Sequence, residues 1–374
     1  MSNSGLNPAG GKTLRRPARA LMARAILTAT AMVAVPLGAQ AADGPGTGST
    51  AGKTIALSNS YDGNSFRQVM VKDWQNTTAQ AIAAKTIRGA TVVSANSSVT
   101  EQASQMQNMI LQGYNGIAVL AASSSALNGV VKSACQQGII VVSFAGIVTA
   151  PCAWQVNYDW SSYGKQEIDY IAKRLNGHGN ILEIRGIAGD STDKDISDGV
   201  HNAIKAYPGL KIVGTVYGQW TSTVAQKEVS GILPSLPQVD AVVTQGGDGY
   251  GAAIAFQNAN RKIPIIIMGN RQDELAWWQQ EHAKNGYETF SISATPSISQ
   301  ISFWVTQQIL AGKKVPKKVI VPLLRVDQSD LDAYLKTIPA GGVANPPYPK
   351  DLVVKIIDAN IDHTAMPPVP PPSP

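Results

Sequence analysis

A pattern that occurs twice sets the tightest limit on what this chain can fold into. The apolar run Gly116 to Leu120, a polar turn from Ala121 to Ser125, a helix-like stretch and the run Gly138 to Phe144 are echoed later in the chain. The echo is Asp240 to Thr244, the turn Gln245 to Gly251, a second helix-like stretch and Ile263 to Met268. Two such βαβ units predict two similar α/β lobes. In open parallel sheets a ligand sits beyond the carboxyl ends of the strands, so facing lobes form a cleft lined by strand-to-helix loops. This arrangement suits capture of a small molecule.

The elements around the repeat have the same rhythm. Thr54 to Ser58 reads as a strand, followed by a polar loop, Asn59 to Ser65, and a helix through Ala84. Ala90 to Ala95 and Val99 to Gln112 follow as strand and helix, with Gly113 as the stop. A second series opens at Asn180 to Ile184, continues through the loop Arg185 to Asp193 and a helix reaching Tyr207, then Lys211 to Val216 and the helix Thr221 to Leu233. Two later strands, Thr289 to Ala294 and Lys318 to Leu324, flank a helix from Ile298 to Leu310 and are candidates for crossing between lobes. Short apolar strands alternating with helices are the signature of parallel sheets covered on both faces. Val119, Val141, Val243 and Ile266 are expected in the core.

The first 41 residues read as a targeting segment. Lys12, Arg15, Arg16, Arg19 and Arg24 precede an uncharged stretch from Ala25 to Leu37, and Ala39-Gln40-Ala41 offers a cleavage site after Ala41. The apolar stretch is shorter than the roughly 20 residues that span a bilayer. Arg15-Arg16 raises a twin-arginine export signal, but Pro17 follows and the usual apolar residues do not. The chain has 31 Lys and Arg against 25 Asp and Glu; without the five leader residues the mature protein is near neutral, 26 against 25. The basic balance therefore gives no reason to expect nucleic acid or an anionic membrane. No cysteine lies at the cleavage site, so a soluble product exported to an oxidising compartment, without a lipid anchor, is expected. Cys135 and Cys152, the two cysteines of the chain, are expected to pair in that oxidising compartment. Zinc is the competing reading, disfavoured because the thiols are far apart and no histidine is near.

Signals for catalysis are missing. The sequence contains no Gly-x-Ser-x-Gly elbow, no His-Glu-x-x-His and no phosphate-binding Gly-x-x-x-x-Gly-Lys. His178, His282 and His363 lie in turn-like, helix-end and tail contexts, and His201 in an amphipathic helix. The glycine-rich run Gly246 to Gly251 does not have dinucleotide spacing. It reads instead as a loop where Asp248 presents a carboxylate to a polyhydroxy ligand, or where Asp248 caps a helix. No enzyme activity, cofactor or metal is expected.

In its order of elements the chain from Lys53 to about Asp330 resembles the type I periplasmic binding proteins of the ribose-binding group, the receptors of sugar ABC importers. The resemblance is carried by Ile55-Ala-Leu57 with the loop Asn64-Ser-Phe66, by Gly138 to Phe144, by Asp169 to Lys173, by Glu183 to Gly189 and by Gly286 to Phe290. It implies two doubly wound parallel-sheet lobes joined by a three-crossover hinge. The first lobe would comprise 53–157 and 296–324, and the second 158–295 and 325–338. By composition, residues 42–52 read as a flexible lead-in and 339–374 as a Pro-rich C-terminal extension, whose tail from Met366 has no core to join. By the same resemblance the ligand would meet Tyr61, Asp62, Asn64 and Phe66 from the first loop, and Phe144, Asp190, Trp220, Asn270, Arg271 and Thr295 elsewhere, with Ser293 a further polar candidate near the hinge. An indole at Trp220 suits the apolar face of a sugar.

Two positions depart from the family. Ala145-Gly146 stands where many members have Asp-Arg, and Ile196 where they have Arg; such groups usually clamp hydroxyls by charge-assisted hydrogen bonds. The expected role is a monomeric receptor that binds a small sugar or polyol and passes it to a membrane permease. A receptor of the same fold feeding a sensor kinase or chemoreceptor, or binding a non-sugar molecule, is the alternative.

Overall fold

The computed structural model describes residues 46–371. The expected leader, its cleavage site and residues 42–45 of the lead-in lie outside the described residues, as do 372–374 of the tail. From residue 46 onward the chain is anchored, which corrects the expectation of a flexible lead-in. The Gly46 N–H donates to Gln308 Oε1 (2.7 Å) and the Gly48 N–H to the Ala311 carbonyl (2.8 Å), while Thr50 is buried and donates to the Thr86 carbonyl. A Cβ at Gly46 or Gly48 would lie within 2.9 Å of Ala311, so the backbone approaches that closely because these residues have no side chain.

The first lobe is built from β1 (Thr54–Asn59), α1 (Ser65–Ala83), β2 (Gly89–Ser94), α2 (Val99–Leu111), β3 (Gly116–Leu120), α3 (Asn128–Gln136), β4 (Ile140–Phe144) and β5 (Trp154–Tyr158). The second follows with α4 (Trp160–Arg174), β6 (His178–Arg185), α5 (Ser191–Ala203), β7 (Gly209–Tyr217), α6 (Ser222–Ile232), β8 (Ala241–Val243), α7 (Gly249–Asn258), β9 (Ile265–Ile266), α8 (Gln272–Asn285) and β10 (Ser291–Ser293). The chain then continues through α9 (Ile298–Leu310), β11 (Lys318–Val321), β12 (Leu324–Val326), α10 (Leu331–Leu335) and α11 (Lys350–Asp362).

The two sheets share one strand order. The first runs β2-β1-β3-β4-β5-β11, parallel throughout. The second runs β7-β6-β8-β9, also parallel, and Met268 bonds on to Phe290 and Ile292, which brings in β10 and its antiparallel partner β12. The equivalence inferred from the repeated βαβ unit is thus present in the topology. Val119, Val141, Val243 and Ile266 are all buried, as expected of strands covered on both faces. Cys135 and Cys152 form a disulfide that ties the end of α3 to the loop before β5. Among the described residues no helix is long and apolar enough to cross a membrane, and no group of three or more potential metal ligands occurs.

The chain passes between lobes at Asp159, at 294–297 and at 322–323, the three expected crossings. A fourth segment joins them. Val343 bridges to Arg271, and Ala344 exchanges hydrogen bonds with Asn270 in the second lobe. Asn345 then accepts from the Ser297 N–H (2.8 Å) and donates to Asp73 of α1 (2.6 Å), and the Tyr348 N–H donates to Gln300 Oε1. Helix α11 follows, with Val353, Ile356 and Ile357 buried and Asn360 bonding both the N–H and the carbonyl of Ile320 in β11. The extension expected over 339–374 thus carries α11, which packs onto the first lobe, and the expectation that the tail from Met366 joins no core is corrected, because Met366 and Val369 pack against buried residues. The apolar spacing of Val353, Ile356 and Ile357 carried that signal, masked by the prolines on either side.

Asp73 gives this fourth crossing a pH dependence. Burial, opposed by the Asn345 bond and by Lys72, raises its pKa from 3.8 to about 6. A carboxyl whose pKa is higher folded than unfolded binds its proton more tightly in the fold, so it lowers stability as pH rises from about 4 through 6. Asp73→Asn, which keeps an acceptor for Asn345, is expected to raise the melting temperature over wild type at pH 7.5 and to lose that advantage at pH 4. Thermal melts of both proteins at the two values check this; an equal difference at both pH values would contradict it.

Candidate functional site

A cavity lies between the lobes at the carboxyl ends of the strands, and its space open to the centre of a water-sized sphere is about 110 Å³. The first lobe reaches it through the start of α1. Asn64 caps that helix, its Oδ1 accepting from the Arg67 N–H (2.9 Å), and the first helical turn carries Phe66 and Arg67 to the cavity wall. The Arg67 guanidinium bonds Asn59 Oδ1 (3.3 Å) and has no other hydrogen-bond partner among the described residues. Burial lowers its pKa to about 10, and the charge of Asp190 across the cleft opposes that shift. Arg67 thus stays a cation, with most of its N–H groups uncommitted.

The second lobe supplies Asp190, which caps α5 by accepting from the Thr192 N–H (2.7 Å) and leaves its other oxygen free. Thr192 Oγ1 lies 3.5 Å from the Ala145 carbonyl, so the lobes touch at the mouth. Trp160, just past the first crossing, donates its indole N–H to Asn157 Oδ1 (2.9 Å) and stacks obliquely near Tyr158. Trp220 lies over Gly186, where a Cβ would fall 2.3 Å from the indole. The side-chain amide N–H groups of Asn270 donate to the Ala294 and Ala344 carbonyls (3.0 and 3.1 Å), which fixes the amide and leaves its Oδ1 without a hydrogen-bond partner among the described residues. Gln245 also lines the cavity, but its amide is spent on Gly186 and Asp193.

Beneath these loops Glu274 acts as an anchor. Fully buried, it accepts four backbone N–H groups: Gly249 and Gly269 at Oε1 (3.0 and 2.9 Å), Gly247 and Arg271 at Oε2 (both 3.2 Å). Burial raises its pKa, while the Arg271 charge and these donors oppose the rise. Gly246 and Gly247 hold left-handed backbone (φ 90° and 80°). The glycines that suggested a nucleotide loop are there to let this turn form.

Of the residues expected at the site, the cavity gathers Asn64, Phe66, Asp190, Trp220, Asn270, Arg271 and Ser293. Five others do not line it. Asp62 is exposed on the outer side of its loop, and the Tyr61 ring packs over Gly63. Phe144 is buried in the core of the first lobe. Thr295 is committed to the hinge, where its N–H donates to Tyr158 Oη (3.0 Å). Asp248 is fully buried behind the wall and does not line the cavity; it stands at the N-cap position of α7 but makes no side-chain cap bond there, and accepts instead from the Thr221 N–H (3.0 Å). Sequence reasoning missed Arg67, Trp160, Thr192, Gln245, Gly246 and Gly247. Arg67 was findable, since a residue three places after a helix cap shares its end of the helix. Ala145, Gly146 and Ile196 do line the cavity, as apolar wall.

A family model described as periplasmic binding protein domain matches residues 55–314. Among curated proteins the chain is similar to the xylitol-binding protein of Mycolicibacterium smegmatis, 33% identical over 186 residues. That match spans 49% of this chain and 53% of the relative, so it covers about half of that protein's length. It is also similar to the ribose import binding protein RbsB of Haemophilus influenzae, 23% identical over 72% of this chain and 90% of that one. Among solved structures, an ABC transporter solute binding protein from Thermobispora bispora superposes with a TM-score of 0.79 at 30% identity, covering 86% of this chain and 100% of that one.

Proposed function

The chain belongs to the periplasmic binding protein domain family, and from that premise we propose that it is a periplasmic receptor which captures a small neutral sugar or polyol between its lobes and delivers it to the permease of an ABC importer. The observation that carries the reading is that Arg67 and Asp190, one from each lobe, both line a cavity also walled by the indoles of Trp160 and Trp220. Hydroxyl groups need charged and amide partners, and the apolar face of a carbohydrate needs a flat aromatic one. Because Arg67 and Asp190 restore a cation and an anion, the clamp missing at Ala145-Gly146 and Ile196 is supplied from other elements. That favours a neutral polyhydroxy molecule over a cation or an apolar ligand.

The similarity to proteins named for xylitol and ribose supports a small polyhydroxy ligand. Binding without turnover is the mechanism: a ligand that touches both lobes only when they are closed shifts the hinge equilibrium toward closure. Export through the basic, then apolar leader and action as a monomer complete the proposal.

The test is a thermal-shift screen of the chain from Ala42, unfolded and refolded to strip carried-over ligand. Pentitols, pentoses, hexoses and inositols would be compared with amino acids and small cations. At 100 times its dissociation constant a ligand stabilises by about 2.7 kcal/mol, which for this length is on the order of 4 °C. A shift confined to polyhydroxy compounds is expected; a shift with amino acids or cations alone would overturn the carbohydrate reading.

A further inference from the structure

This inference rests on the reading that Trp220 meets the ligand. Gln219 and Trp220 both hold left-handed backbone, with φ of 56° and 52°. A residue with a Cβ adopts that conformation at a cost, and two in succession persist only where the surroundings fix them. Here several loops converge on the turn. The N–H groups of Gly218 and Gln219 both meet the Arg185 carbonyl (2.8 and 3.3 Å). Arg271 Nη2 donates to the Trp220 carbonyl (2.7 Å), and the Thr221 N–H is shared between the Gly218 carbonyl and Asp248 Oδ1, both at 3.0 Å.

We infer that Asp248 and Arg271 are positioning residues which hold the strained Gln219-Trp220 turn and thereby present the Trp220 indole to the ligand. Asp248 does this from behind the wall: it is fully buried and its Oδ2 has no hydrogen-bond partner among the described residues. A Cβ at Gly218 would lie 2.6 Å from Asp248 Oδ1, so the glycine is what lets the carboxyl reach the turn. Burial, and then the charge of Glu274, holds Asp248 well above the usual carboxylate range. Asparagine matches the carboxyl closely in shape and keeps an Oδ1 acceptor for the Thr221 N–H.

The experiment follows the indole N–H resonance of Trp220 in ligand-free, refolded protein, assigned by its loss in Trp220→Phe, and then titrates xylitol. In Asp248→Ala the resonance is expected to shift or broaden and xylitol binding to weaken about tenfold, the scale of one lost buried acceptor. Asp248→Asn should restore the wild-type resonance. So should adding Gln219→Gly to Asp248→Ala, because glycine takes up the left-handed turn without strain. Gln219 is exposed, so that change disturbs no packing. If Asp248→Ala does not fold, Arg271→Met with and without Gln219→Gly gives the same comparison. An unchanged resonance in both Asp248→Ala and Arg271→Met, or no recovery with Gln219→Gly, would overturn the inference. The ligand-free resonance also separates the two readings: correct behaviour there with no xylitol binding upholds the positioning role while the ligand assignment fails.

Discussion

Replacing Trp220 by alanine is expected to weaken binding of the best polyol from the screen by roughly 30- to 100-fold, or about 2–3 kcal/mol. That is the contribution of an aromatic anchor at the centre of a small site. Trp220→Phe should recover much of the loss, since a phenyl ring keeps a flat apolar face. The residue is half-buried and its ring lies on Gly186, so the alanine variant should still fold. Calorimetric titration of the three proteins measures the effect. An alanine variant that binds within twofold of wild type would mean that the indole does not contact the ligand.

The largest expected effect on stability comes from Glu274. Its two oxygens accept four backbone N–H groups from the loops after β8 and β9, a load that an anionic carboxylate meets and an amide cannot. In Glu274→Gln one oxygen becomes an NH₂ group facing N–H donors, which leaves buried donors unsatisfied and the Arg271 charge less compensated. A loss of about 3–5 kcal/mol is expected, read as a lower urea midpoint at unchanged slope. The same loops carry Gly246, Gly247, Asn270 and Arg271 to the cavity, so affinity should fall as well. A Gln variant within about 1 kcal/mol of wild type would show that the anchor is dispensable.

These two side chains also show what was legible in the chain before its structure. Trp220 and Asn64 were legible through the resemblance to the ribose-binding group, which implies an aromatic and an amide in the loops they occupy; both loops join a strand to a helix, where α/β folds place ligands. The repeated βαβ unit implied two lobes that match in the order of their elements. Glu274 offered no signal: a glutamate in the first turn of a helix reads as a surface residue, and its four partners come from two loops brought together only by the sheet. Asp248 misled for the same reason, since sequence shows that a carboxyl sits in a loop but not which side of the loop it faces. Arg67 lies one residue past the loop that the resemblance pointed to, and it brings a cation to the wall that has Ala145-Gly146 in place of a charged pair. The fourth crossing was masked by prolines, although the apolar face of α11 was present in plain view.

The central claim is that one neutral polyhydroxy molecule is held between the lobes by groups from both. It is tested most directly by calorimetric titration of refolded wild type, Arg67→Met from the first lobe and Trp220→Ala from the second, with xylitol and ribose. The account predicts one site per chain for at least one of these ligands, and an affinity that falls at least tenfold in each variant, about 1.4 kcal/mol or more. Absence of binding to either compound and to every other polyol and sugar of the screen, or binding that neither substitution weakens, would contradict it.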